Sequence, residues 1–210
     1  MSPARRRVAE SLKQHGASTP SDLAARLELT AVAVRQHLAG LEESGLVAAS
    51  PRPAEGRGRP SQVWRLTPAA MRLFPDRHGE LTVGLIEAMR QAIGADAFES
   101  VIDARGEAQK KKYASMLPGA DAPLAERVEA LAAQRTAEGY MAESRADDDG
   151  SFLLIENHCP ICDAASACLS LCRIELEVFQ HAIGDDAVVE RTKHLLSGDE
   201  RCVYRVTRRR

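Results

Sequence analysis

No stretch of the 210 residues approaches the roughly 18 consecutive apolar positions that a membrane-spanning helix needs. The first fifteen residues, MSPARRRVAESLKQH, are polar and basic and lack the apolar segment of a secretory signal. Membrane and exported classes drop out, and a cytoplasmic protein is expected. Glycine and proline, at 14 and 10 residues, are too sparse for a collagen-like or low-complexity chain. With 44% hydrophobic and 28% charged residues, the composition is that of an ordinary folded protein. Lysine is scarce, at 5 residues against 23 arginines, so anion recognition falls mainly to the planar guanidinium fork. Cysteine is absent from the first 158 residues, and all five lie between Cys159 and Cys202. An odd, clustered set argues against a disulfide framework and for metal or redox chemistry.

What is present divides the chain. Residues 1–75 carry a net charge of +5, whereas residues 76–210 carry −7. A basic module joined to an acidic one suggests that the first faces an anionic partner, nucleic acid before any other. The basic module predicts three helices. The first runs from Pro3 to His15 on Val8, Ala9 and Leu12. The second is opened by Thr19-Pro20-Ser21-Asp22 and buries Leu23, Ala24 and Leu27; the third is capped by Thr30 and buries Val34, Leu38 and Leu41. The outward face of the third helix carries Arg35, Gln36 and His37 near its start, the side-chain types that read base edges in a major groove. After Gly45, strands at 46–49 and 62–66 form a hairpin around PRPAEGRGRP, a wing whose Arg57 and Arg59 are placed to reach phosphates or a minor groove. The expected partner is a double-stranded DNA operator, with Thr30, Arg35, Gln36, His37, Arg57 and Arg59 as candidate contacts.

Between about 76 and 138, apolar residues recur at helical spacing: Leu81, Leu85, Ile86, Met89 and Ile93, then Phe98, Val101 and Ile102, then Leu124, Val128 and Leu131. This stretch is expected to be a helical spacer that makes a homodimer, since helix-turn-helix proteins pair to span two half-sites. Residues 139–210 predict strands near 140–144, 152–157, 188–193 and 202–206 and a helix near 173–183, a small α+β, cysteine-rich domain. The fold class is therefore α+β, with a winged helix-turn-helix, a helical dimerisation spacer and a small sensor domain.

The cysteines have metal-ligand spacing. Cys159 and Cys162 form a CxxC; Cys168 and Cys172 stand four apart, on one face of a helix; Cys202 could close the set. Four thiolates suit a tetrahedral zinc or an iron–sulfur cluster, and spacing does not choose between them. A dithiol redox enzyme is the more remote alternative, but the strand context of a thioredoxin-like site is missing, and neither an acid/base partner nor a small-molecule substrate site can be read. The chain is not expected to be an enzyme.

Two blocks carry a family resemblance: VRQHLAGLEESGLV with GRGRPSQVWRLT, and NHCPI, ELEVF and ERTKHLLSGDERCVYRV. Together they resemble the SufR-type iron–sulfur regulators, related to the DeoR and ArsR helix-turn-helix groups. The resemblance spans nearly the whole chain. It implies a dimeric transcriptional regulator, typically a repressor, that holds a [4Fe–4S] cluster and controls iron–sulfur cluster assembly genes. It also implies ligands at Cys159, at Cys172 with twelve residues between, and at Cys202. The remaining family position falls near Asp186, where this sequence departs. Cys162 is the preferred substitute and Cys168 the alternative; His158, His181 and His194 are weaker candidates.

Overall fold

The computed structural model describes residues 1–51 and 62–209. The first three helices begin where the chain supplies a cap. Ser2 Oγ accepts from the Arg5 amide (3.3 Å) at the head of α1 (Pro3–His15). Thr19 and Asp22 satisfy each other's backbone amides reciprocally at the head of α2 (Pro20–Leu27). Thr30 Oγ1 accepts from Ala33 (3.2 Å) at the head of α3 (Ala31–Glu43). Each cap satisfies a backbone amide that has no partner inside its own helix, and so sets where the helix starts. Strands β1 (Val47–Pro51) and β2 (Gln62–Leu66) pair antiparallel, with Val47 opposite Leu66. Ser18 adds a bridge to the outer side of β2, exchanging backbone bonds with Trp64 at 2.9 and 3.0 Å. Val8, Leu12, Leu23, Val34, Leu38, Leu41, Val47 and Trp64 close a core of their own, and Met1–Asp76 is one compact unit.

Arg77–Arg210 is the second unit. It holds α4 (His78–Ile93), α5 (Ala95–Met116), α6 (Leu124–Ala137), β3 (Ala142–Ala146), β4 (Phe152–Glu156), α7 (Cys162–Ala167), α8 (Ser170–Ile183), β5 (Ala187–Lys193) and β6 (Cys202–Arg208). The strands form an antiparallel sheet in the order β3-β4-β6-β5. Alternate residues of its strands, Leu154, Val189, Tyr204 and Val206, share one core with Phe98, Ile102, Tyr113, Leu124, Val128 and Leu131 of α5 and α6 and with Ile174, Val178 and Phe179 of α8. Helices α5 and α6 therefore bury their apolar faces against the sheet's own core.

Three local departures from the sequence expectation have physical causes. β3 starts at Ala142, two residues late, because Gly139 (φ 96°) and Met141 (φ 50°) turn the chain through left-handed conformations and free the Tyr140 ring from the strand. α8 starts at Ser170, three residues early, and thus takes Cys172 into its first turn. The short α7 has no apolar periodicity to betray it, being only six residues long. α4 buries Ile86 alone among its large apolar side chains, while Leu81, Leu85, Met89 and Ile93 line its exposed face at four-residue intervals. Among the described residues, no helix is long and apolar enough to cross a membrane.

Candidate metal centre and DNA-facing helix

On α3 the buried stripe of Val34, Leu38 and Leu41 leaves Arg35 and Gln36 exposed and His37 partly exposed. Thr30 is exposed as well, with its hydroxyl occupied as the cap. Sequence reasoning missed Val32, which is 63% exposed one turn before Gln36. The available signal was that Val32 falls off the buried stripe. The arginines of α1 are already engaged. Arg5 lies across Gly40 of α3, where a Cβ would strike its guanidinium; Arg6 pairs with Glu10 (3.0 Å); Arg7 donates to the Leu27 carbonyl (3.1 Å). Arg57 and Arg59 lie outside the described residues.

The cysteine ligand candidates come from four places in the second unit. Cys159 lies in the loop after β4, Cys162 opens α7, Cys172 stands in the first turn of α8, and Cys202 opens β6. A tight turn brings the Cys162 amide to the Cys159 carbonyl (3.3 Å). The Leu195 amide donates to Cys202 Sγ at 3.4 Å. Burial pushes the Cys159 thiol up to about 11; the Ile161 amide opposes the rise, and charge on Glu175, Cys162 and Cys202 reinforces it. Burial also pushes Cys172 up to about 11; Glu175, Cys202 and Cys162 reinforce the rise and Arg191 opposes it. Cys202 is raised likewise, by burial first. Charge on Cys162 and Cys202 thus bears on both Cys159 and Cys172. Cys168 is 2% exposed and packs in the hydrophobic core.

A buried polar network backs the thiols. Arg135 of α6 is 1% exposed and donates from Nε to Glu156 (2.6 Å), from Nη1 to the Tyr113 hydroxyl (3.3 Å), and from Nη2 to Glu175. Its guanidinium stacks on Tyr140, 3.3 Å from the ring centroid. Glu175, one turn beyond Cys172, also accepts from the Tyr204 hydroxyl at 2.7 Å. Burial, then repulsion from Glu175, pushes the Glu156 carboxyl up to about 7 against the pull of Arg135. Arg191 on β5 donates from Nη2 to the Cys172 carbonyl (2.5 Å) and to the Tyr204 hydroxyl (3.2 Å).

The residue nearest the remaining family ligand position is engaged elsewhere. Asp186 takes a two-pronged ion pair from Arg127, at 2.7 and 2.6 Å, beyond the far end of α8. α8 is 14 residues long, about 21 Å, with Cys172 in its first turn. Asp186 therefore cannot join Cys172 at one metal group. His181 sits in the last turn of α8, and the exposed His158 only donates its amide to the Tyr140 carbonyl (3.0 Å).

Among the described residues, no three Cys, His, Asp or Glu side chains stand close enough to hold a metal ion as they are. The four thiols are donors of the type that an iron–sulfur cluster takes, but as placed they do not form a ligand set. Two buried nitrogens, Arg191 Nε and His194 Nε2, have no hydrogen-bond partner among the described residues.

Comparison with known proteins touches part of the chain. No curated protein sequence is matched. Among solved structures, the zinc-responsive MarR family member ZitR of Lactococcus lactis is 19% identical over 54% of this chain and 76% of its own, with a TM-score of 0.32. A variant of that protein with one cysteine changed to serine is 21% identical over 54% and 75%, with a TM-score of 0.32. Residues 1–48 match the family model HTH_20, described as a helix-turn-helix domain. The three capped helices at the amino terminus are accordingly a helix-turn-helix domain.

Proposed function

We propose that the chain is a dimeric transcriptional regulator, acting as a repressor, whose second unit senses an iron–sulfur cluster through Cys159, Cys162, Cys172 and Cys202. One observation carries this reading: cysteines on four separated segments, with charge on Cys162 and Cys202 bearing on both Cys159 and Cys172, stand in a chain that begins with a helix-turn-helix domain. Cys162 is taken as the fourth ligand because a tight turn ties it to Cys159, whereas Cys168 is only 2% exposed. When bound, the group supplies redox and oxygen sensitivity. The protein's own part is positional. The group would be held by thiolates from the Cys159–Cys162 turn, the first turn of α8 and the start of β6.

Arg35, Gln36 and His37 are assigned to base edges, Thr30 to the start of α3, and Arg57 and Arg59 to phosphates. Dimerisation is assigned to the apolar face of α4. Regulation then requires loading to change operator affinity, and a coupling of roughly 1–3 kcal/mol, about 5- to 150-fold, suffices for a switch. Control of iron–sulfur assembly genes follows from the family resemblance. The test is anaerobic purification followed by an absorption spectrum, iron, sulfide and zinc analysis of the same sample, and operator binding before and after air exposure. Brown protein with acid-labile sulfide and air-sensitive binding is expected. A colourless protein holding one zinc per chain would replace the cluster with a zinc site and leave the DNA-binding assignment standing.

A further inference from the structure

We propose that the open face of the second unit's sheet binds a small organic anion, a carboxylate or phosphate on an apolar body, held by Arg145 and Lys193 over a floor of Leu153, Ile155 and Val203. An antiparallel sheet with one face in water normally alternates apolar and polar residues. The inner strands break that rule. Leu154 of β4 and Tyr204 of β6 point into the core, so their neighbours Leu153, Ile155 and Val203 point out, and all three are apolar. Ile155 is 6% exposed and Val203 8%, yet neither belongs to the core that the sheet shares with α5, α6 and α8. They floor a cavity of about 490 Å³ on the outer face, within the range of about 300–1,000 Å³ that holds small ligands. The cysteines take no part, because Cys202 alternates with Val203 and so lies on the other face.

Charge decides what the floor takes. Arg145 stands opposite Leu153 on edge strand β3, and Lys193 stands opposite Val203 on edge strand β5, where a register shift bulges the strand. Both line the cavity. Three strand spacings of about 4.8 Å separate the two edges, so their backbones are roughly 14 Å apart, with room between the charges for a body of one or two rings. The acids of the rim are engaged or in water: Asp147 takes Arg205 at 3.2 Å, Asp199 takes the His194 amide at 2.7 Å, and the Glu200 side chain is 92% exposed. Arg205 is held between Asp147 and Asp149, and Arg201 donates to Asn157 (2.9 Å). Arg145 and Lys193 are exposed and make no side-chain hydrogen bond or ion pair among the described residues. Two unpaired cations at opposite edges of an apolar floor suit an anion with an apolar body. The volume is that of a small molecule and not of a second folded chain.

The test titrates the full, isotope-labelled chain with naphthoate, naphthyl phosphate, neutral naphthamide and inorganic phosphate, and follows the amide shifts by NMR. Saturable shifts centred on residues 145–155 and 192–205 are expected with the naphthyl anions, and little with naphthamide or inorganic phosphate. The carboxylate and phosphate arms tell which headgroup the two cations prefer. Arg145→Gln and Lys193→Gln each remove a charge-assisted hydrogen bond and should weaken binding about five- to tenfold. Both side chains are exposed, so the thermal midpoint should stay in place. Leu85→Glu, in the bare stripe of α4, should leave the affinity unchanged. Shifts centred on α4, equal affinity for naphthamide or inorganic phosphate, or unchanged affinity in both glutamine variants overturn the proposal. The absence of a saturable shift with either naphthyl anion overturns it as well. A change of oligomeric state in a glutamine variant, read by light scattering, would give this face to a second copy and overturn it too. None of these outcomes bears on the cysteine reading, whose test is the absorption spectrum.

Discussion

Replacing Arg135 with methionine tests whether one guanidinium holds the second unit together. Its side chain is 1% exposed, against 3% for Glu156 and 12% for Glu175, so the substitution strips Glu156 of its cation in the interior and leaves Glu175 with Arg191, 3.6 Å away. Breaking a buried pair by removing one partner costs about 3–5 kcal/mol. That is a large share of the 5–15 kcal/mol by which a domain is ordinarily stable. The cost depends on pH, and its sign is fixed by Glu156. Its folded-state pKa, about 7, is above the ordinary 4.5, so ionising it in the folded state costs stability increasingly as pH rises from about 4.5 to 7. Arg135 opposes that rise; without it the carboxyl is pushed higher still. The penalty of Arg135→Met should therefore be near 4 kcal/mol at pH 8 and smaller at pH 5, where Glu156 is protonated in both proteins. Urea unfolding by circular dichroism at the two pH values measures it. Trp64, the single tryptophan, lies in the first unit, so its fluorescence midpoint should stay in place while the dichroism midpoint falls. Adding Glu156→Gln should recover part of the loss at pH 8. A cost below about 1 kcal/mol at pH 8, or one equal at pH 5 and 8, would refute the assigned role of Arg135.

Gly106→Ala sets a gain against a clash. A helical Gly→Ala change is worth up to about 1 kcal/mol, but the new methyl would stand 2.5 Å from Ile174 Cγ2, and overpacking costs about 1–3 kcal/mol, so net destabilisation in urea is expected. Arg35→Ala should weaken operator binding by about 1–3 kcal/mol and leave stability within about 0.5 kcal/mol; equal binding to operator and random DNA before and after the change would contradict its base-reading role. Leu85→Glu places a charge in the exposed stripe of α4 and should convert the dimer to monomer in light scattering; a dimer of unchanged affinity would move the interface elsewhere.

The amino-terminal unit was legible because its signals are local. Caps at Thr19 and Thr30 each lie within three residues of the amide they satisfy, and the apolar stripe of α3 repeats within one helix. The clustering of the cysteines was plain in the composition, but the burial of Cys168 between α7 and α8 depended on which residues those helices turn inward, and that needs the packed fold. Arg135 could not be read at all. In sequence it is one more arginine on a charged helix, and its partners Glu156 and Glu175 lie 21 and 40 positions away. The apolar faces of α5 and α6 announced that they bury something, without saying that it is the sheet.

The contact at Gly106 has a mechanical consequence. With no side chain there, the backbone of α5 lies so close to Ile174 that not even a methyl group would fit, and Arg173 one residue earlier ties the same two helices through Glu99 and Asp103. Dense contacts transmit strain in place of absorbing it. α8 carries Cys172 in its first turn, so a tug on that sulfur has little slack to take up before it reaches α5. From there Gly94 is the single residue separating α5 from α4, the helix with the bare leucine stripe. Force applied at the thiols would travel as a rigid stroke, two helices long, to the surface where a second copy is expected to sit.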